Sequence, residues 1–143
     1  MSLRQFYPKR NSRRQVSTWK LLALYSTLVI AIGLQISYPL INGEPLRVVT
    51  IATVYWAAAA MIIHALLSYG ITYASIFVSI TFTYALIIEQ IGSRTGWPFG
   101  EYEYSGSLGY QIYGVPLVVP FAWVMLAHPL FIAARKVTKN WVF

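Results

Sequence analysis

EQIGSRTGWPFGEYEYSGSLGYQIYGVPLVVP, residues Glu89 to Pro120, decides how the rest of the chain is read. It holds three of the four acidic residues, Glu89, Glu101 and Glu103, and six of the nine glycines. Six aromatic residues run through it: Trp97, Phe99, Tyr102, Tyr104, Tyr110 and Tyr113. The sequence on both sides is apolar. An ionisable group at the edge of hydrocarbon is costly and is usually kept for a purpose. A chain this apolar that gathers its few carboxylates in one Gly/Pro-rich segment marks that segment as a site.

Working outward, the 143 residues are 57% hydrophobic and only 10% charged, against about 25% charged in ordinary soluble chains. That length and composition describe a single membrane-embedded domain. The net charge of +7 sits at the ends: six of the eleven Lys/Arg residues lie in the first twenty positions and three in the last nine. Basic ends flanking apolar spans are topology signals. No nucleic-acid-binding motif accompanies them, so nucleic acid is not an expected partner. The absence of cysteine excludes disulfides, thiolate chemistry and Cys-ligated metals. Neither a P-loop, a dinucleotide-binding glycine fingerprint, HExxH nor a nucleophile elbow is present, which argues against phosphoryl transfer and zinc hydrolysis.

The spans can be counted from length and charge. Residues 1–20 form a basic arm, and the apolar run that follows is too long for a signal-peptide core. A first span is expected over 21–41, with Trp19, Lys20 and Tyr38 at its interfaces. Asn42 to Pro45 supply turn residues. From Val48 to Ile88 there is no Asp, Glu, Lys or Arg. One helix of that length would be roughly twice as long as the bilayer is thick, so two spans are expected. They fall at about 48–67 and 71–91, with a turn at Ser68, Tyr69 and Gly70. A fourth span is expected over 115–134, kinked at Pro120 and Pro129 and stopped by Arg135, Lys136 and Lys139. The expected fold is therefore all-α: four transmembrane helices, with a Gly/Pro/aromatic loop (92–114) between the third and fourth. With both termini inside, nine basic residues are cytoplasmic and only Arg47 and Arg94 are outside. That orientation places the chain in the cell membrane as a multi-pass protein, with the key loop on the outer side.

Glu89 is the sharpest single candidate. It falls in the last turns of the third span, beside a stripe of Thr72, Ser75, Ser79 and Thr83. Small hydroxyl residues let membrane helices approach closely, so this face is expected to turn inward and carry Glu89 with it. A carboxyl group partly removed from water is a candidate proton donor. The blander alternative is an interfacial glutamate paired with Arg94 or a backbone donor. In the loop, Gly96 and Gly100 bracket Trp97-Pro98-Phe99. Glycine permits unusual backbone shapes and proline fixes φ, so a shaped, re-entrant or interfacial loop is expected. Its aromatics read either as an interfacial belt or as the lining of an apolar pocket able to face a cation. His64 and His128 lie far from the loop with no carboxylate nearby, a poor metal site, so no metal is expected. The reading for His128 is a hydrogen bond to a carbonyl freed by Pro129.

The order Glu89, Thr95-Gly96, Pro98-Phe99-Gly100, Tyr102, Tyr104, Leu108-Gly109, Val115-Pro116, Pro120 and Trp123 resembles the signature of membrane-embedded carotenoid biosynthesis proteins. That family includes carotenoid hydratases of the bisanhydrobacterioruberin and γ-carotene type. The resemblance covers about Glu89 to Pro129. It implies an enzyme that adds water across the terminal double bond of a linear or half-cyclised carotenoid, giving a tertiary alcohol without any cofactor. Glu89, Glu101 and Glu103 then become catalytic candidates, with Glu89 as the acid and one of the others holding or deprotonating water. Trp97, Phe99, Tyr102, Tyr104 and Trp123 become candidates for binding substrate. Gly96, Pro98, Gly100, Pro116 and Pro120 set the backbone. The expected partners are carotenoid and the lipid bilayer. Family members are usually longer, with more helices after the Pro/Trp segment, so a partner chain, an oligomer or further sequence is expected to complete the bundle. The competing reading, from a different functional class, is a non-catalytic membrane protein that binds carotenoid or helps assemble a pigment complex. A small transporter subunit is a third, disfavoured by the lack of charge at mid-membrane depth.

Overall fold

A computed structural model describes residues 17–104 and 106–141. Most of the basic arm, including Arg4, Lys9, Arg10, Arg13 and Arg14, lies outside the described residues, and so does much of the charge count behind the expected orientation. Four helices carry the fold: α1 (Thr18–Ser37), α2 (Glu44–Tyr69), α3 (Ile71–Thr95) and α4 (Val118–Trp141). All four are long and apolar enough to cross a bilayer. Few residues of any span are buried within the bundle: in the most apolar 18-residue stretch, 11% in each of the first three and 22% in the fourth. The outward faces are nonetheless apolar, with Val29, Ile32, Ile36, Ile76, Ile80, Leu126 and Leu130 exposed. Helices with apolar outer faces and internally satisfied backbones suit lipid as solvent. The chain is a multi-pass, all-α membrane protein.

Helix ends follow from local chemistry. α2 starts after Gly43 (φ 71°) with Glu44 and Pro45 in its first turn, where an acidic side chain suits the helix dipole and proline has no N–H to waste. Glu44 also pairs with Arg47 at 2.7 Å. The turn between α2 and α3 is tighter than expected. Ser68 and Tyr69 stay helical, and Gly70 alone separates the two helices. Its φ of 91° and ψ of 173° lie in a region open essentially to glycine. Its N–H donates to Leu66 O at 3.0 Å and its carbonyl accepts from Ala74 N at 3.1 Å, so one residue closes one helix and opens the next.

The fourth span departs from expectation at both ends. Val115-Pro116 is not helical: it forms strand β2, antiparallel to β1 (Gln111–Ile112), with Gln111 opposite Pro116 and Ile112 opposite Val115. α4 therefore begins at Val118. Pro120 falls in its first turn, where the N–H it lacks has no intrahelical acceptor, so the expected kink there loses its cause. At the other end α4 runs past Arg135 and Lys136 to Trp141. Basic side chains favour a helix C-terminus, so they lengthen this helix beyond the apolar span instead of stopping it.

Small residues bring the helices together. Thr27 and Ala31 of α1, Ala58, Ala60 and Ala65 of α2, and Ala74, Ala85 and Gly92 of α3 are buried. α1 packs along α2, while α2 and α3 both pack on α4. Mid-bundle, Phe121 meets Tyr55 at 5.2 Å and Phe82 at 5.4 Å, both edge-on. At the end away from the α3–α4 loop, His64 Nδ1 and His128 Nε2 are 2.9 Å apart and join α2 to α4. His128 is fully buried, ringed by Tyr69, Tyr73 and Phe77. Its Nδ1 has no hydrogen-bond partner, so the expected bond to a carbonyl freed by Pro129 does not form. The imidazole's partner comes instead from a helix 64 positions back in the chain.

Candidate active site

α3 presents a different face to the bundle from the one expected. Thr72, Ser75, Ser79 and Thr83 are exposed, and the inward face carries Ala74, Ala85, Glu89 and Gly92. Both stripes have helical spacing. The alanine–glycine one turns inward because it lets α4 and the loop approach more closely. Glu89 rides on it at 7% exposure.

Three donors meet its carboxylate. Tyr104 Oη donates to Oε2 at 2.6 Å and Tyr102 Oη to the same oxygen at 2.8 Å. Trp123 Nε1, one turn into α4, donates to Oε1 at 2.9 Å. The two phenol rings meet edge to face at 5.4 Å and 83°. Trp123 is steadied by an edge contact with Tyr84 at 5.8 Å. The Tyr104 bond is short, and the other two have ordinary hydrogen-bond lengths. Arg94 is exposed and makes no ion pair with Glu89; the pair between Glu44 and Arg47 is the one salt bridge among the described residues.

The loop is built to deliver the tyrosines. Gly96, in the left-handed region at φ 73°, ends α3 with its N–H on Gly92 O at 2.8 Å. Gly100 N–H then donates to Gly96 O at 2.6 Å, which turns the chain back over the helix end. Residues 101–104 follow without helix, and alternate side chains point opposite ways. Tyr102 and Tyr104 turn to Glu89, while Glu101 and Glu103 turn to solvent. Gly92 makes room: a Cβ there would overlap Tyr102 Oη and lie 3.3 Å from Phe99 Cδ2. Further on, Arg47 of α2 donates from Nη1 to Ser107 O, tying the Gly106–Leu108 turn to the bundle. Burial, then the hydrogen bond to Glu89 and its negative charge, push the Tyr102 phenol up from 10.0 to about 12. The same causes raise Tyr104 further. Both phenols therefore stay protonated and donating across ordinary pH.

Of the residues singled out from sequence, the structure brings Glu89, Tyr102, Tyr104 and Trp123 into one cluster. Pro116 and Pro120 are buried, and Gly96 and Gly100 shape the turn. Glu101, Glu103, Pro98, Trp97 and Phe99 are exposed, the last two at 66% and 53%. Among the described residues no group of three or more His, Asp or Glu side chains is placed to hold a metal.

An open apolar groove of about 520 Å³ runs beside the cluster, between α2 and α4. Its α4 wall extends from Val118 through Trp123 to Leu130, its α2 wall from Thr50 to Val54, and Leu108 closes one end. At 1.5 Å per residue the α4 wall is roughly 18 Å long. Trp123 belongs both to this groove and to the donors on Glu89.

The fold and site define a multi-pass membrane protein with one buried carboxyl group, met by three donors, beside an apolar groove. Residues 48–142 match the family model described as carotenoid biosynthesis protein, and the chain belongs to that family. A bisanhydrobacterioruberin hydratase from Haloarcula japonica is 41% identical over 51 residues. The matched stretch is 36% of this chain and 16% of that relative's length. No solved structure matches the chain.

Proposed function

We propose that this protein takes part in carotenoid biosynthesis by hydrating the terminal carbon–carbon double bond of a carotenoid with an acyclic end, with Glu89 as the proton-transfer group. The observation that carries the reading is the arrangement of donors on Glu89. A carboxyl oxygen has two acceptor positions. Among the described residues two phenols donate to Oε2 and one group, the indole N–H, to Oε1. Oε1, the oxygen with the fewer donors, is the one assigned the transferable proton.

In the reaction that proton goes to the CH carbon of the terminal CH=C(CH₃)₂ group. The π electrons form the new C–H bond, and positive charge develops on the dimethyl carbon. Negative charge develops on Glu89 at the same moment, and the three donors already point at it. Donors fixed in advance where charge develops are worth more in a water-poor site than in water. Water then adds to the cationic carbon and returns a proton to Glu89, giving the tertiary alcohol. The groove supplies an apolar berth for the polyene, and the position of the site at the bundle rim gives water access. Trp97 and Phe99, exposed beside the turn, suit an interfacial belt. The family membership and the hydratase-named relative support the same chemistry.

The test is expression in a host that makes acyclic carotenoids, followed by mass analysis of the pigments. The wild type should yield a product heavier by one water, and Glu89→Gln should yield none. Unchanged pigment that co-purifies with the wild-type protein would overturn hydration and leave a carotenoid-binding protein.

A further inference from the structure

We infer that Trp123 is a positioning residue that couples occupancy of the groove to the protonation geometry of Glu89. The inference rests on the hydratase reading for its kinetic consequence but not for its binding consequence.

Trp123 is the residue that faces both ways. Its ring lines the apolar groove along with Val119, Ala122 and Leu126. Its N–H reaches through to Glu89 Oε1 at 2.9 Å. The tyrosine pair cannot play this part, because both phenols point at Oε2 and neither lines the groove. Oε1 is therefore the carboxyl oxygen that the groove reaches through the indole. A ligand seated in the groove presses on the ring that holds that oxygen. The ring is partly exposed and is held from the side by the edge contact with Tyr84 at 5.8 Å. A tilt that shortens the bond favours the carboxylate formed as the proton leaves; one that lengthens it disfavours transfer. An indole with one side in the groove and its donor on the acid thus makes proton delivery depend on a chain already in place. Protonating a water or a passing lipid would then be slower than protonating a correctly seated alkene.

The experiment uses the full chain in detergent or nanodiscs, with the acyclic carotenoid lycopene as probe. Ultraviolet resonance Raman bands report the strength of an indole N–H hydrogen bond. The wild-type minus Trp123→Phe difference spectrum isolates Trp123 from the other four tryptophans. The expected result is a band that shifts on adding lycopene and shifts again in Glu89→Gln. In turnover, Trp123→Phe keeps an aromatic wall but loses the donor. Its kcat should fall about 10- to 100-fold, the size of one lost charge-assisted bond, while KM stays within roughly threefold.

A Trp123 band indifferent to both lycopene and Glu89→Gln would overturn the inference. So would a Trp123→Phe protein that loses affinity but keeps kcat. If Trp123→Phe does not fold, Trp123→Tyr supplies the reference spectrum and the wild-type response to lycopene decides. If the wild type makes no product yet the band still responds to lycopene and to Glu89→Gln, the hydratase reading fails and the coupling stands.

Discussion

Tyr104→Phe is the sharpest perturbation of the site. It deletes one oxygen, keeps the ring that packs edge-on against Tyr102, and removes the shortest of the three bonds to Glu89, at 2.6 Å. Oε2 is left with Tyr102 alone, and the acceptor position vacated lies in a half-buried site. A hydrogen bond to a charged group contributes roughly 1.5–3 kcal/mol. If that contribution is realised only as charge appears on Glu89, it enters the barrier and not substrate binding. At about 1.4 kcal/mol per decade, kcat should fall between about tenfold and 150-fold. KM should change little, because the hydroxyl points at Glu89 and does not line the groove. The assay is turnover of lycopene by purified protein in nanodiscs, with the hydrated product quantified by mass spectrometry. Tyr102→Phe, which loses a longer bond, should cost the same or less. A Tyr104→Phe protein with kcat within twofold of wild type would refute the argument that the donors act on developing charge. A large rise in KM with unchanged kcat would refute it too.

The phenols predict their own titration. A group held above its ordinary range keeps its proton longer in the folded protein. Its contribution is complete below pH 10 and is lost as pH rises toward about 12 for Tyr102. The phenolate absorbance difference between wild type and Tyr102→Phe should therefore develop near pH 12, and in Glu89→Gln it should move down, because a negative neighbour is gone. Gly92→Ala should improve the intrinsic helix propensity of α3 by roughly 1 kcal/mol, yet abolish activity by displacing Tyr102; full activity would contradict the packing at that glycine. His64→Leu should lower thermal stability in detergent by about 1–3 kcal/mol, since it strands a second nitrogen of the fully buried His128. His64→Leu/His128→Leu should recover part of that loss; equal stability of both single variants and the wild type would rule out a clasp between α2 and α4.

Much of this was visible in the residues themselves. The four spans follow from run length and the absence of charge between Val48 and Ile88, and the Gly70 turn from the need to break a helix twice too long. Which face of α3 turns inward was not visible. The hydroxyl stripe and the alanine–glycine stripe share one period, and in lipid both faces of a helix are apolar, so polarity does not choose between them. The alternation Glu101-Tyr102-Glu103-Tyr104 does carry the answer for the loop, because a period of two separates the tyrosines from the glutamates. Trp123 lies 34 residues from Glu89, and its place in the cluster depends on β1 and β2, two-residue strands too short to leave a pattern. The histidine pair joins residues 64 apart for the same reason of distance.

The order of residues along the chain has a consequence for how the protein is made. Tyr102, Tyr104 and Trp123 all follow Glu89, so a ribosome releases the acid before any of its partners. While α3 enters the bilayer, Glu89 must rely on water and headgroups. Thr95, at the helix end, is only six positions further on, a depth of roughly 9 Å. Near the headgroups an ionised side chain is far cheaper than at the midplane. The same glutamate two turns earlier would wait for its companions in hydrocarbon, so the timetable of synthesis itself keeps the acid close to the surface.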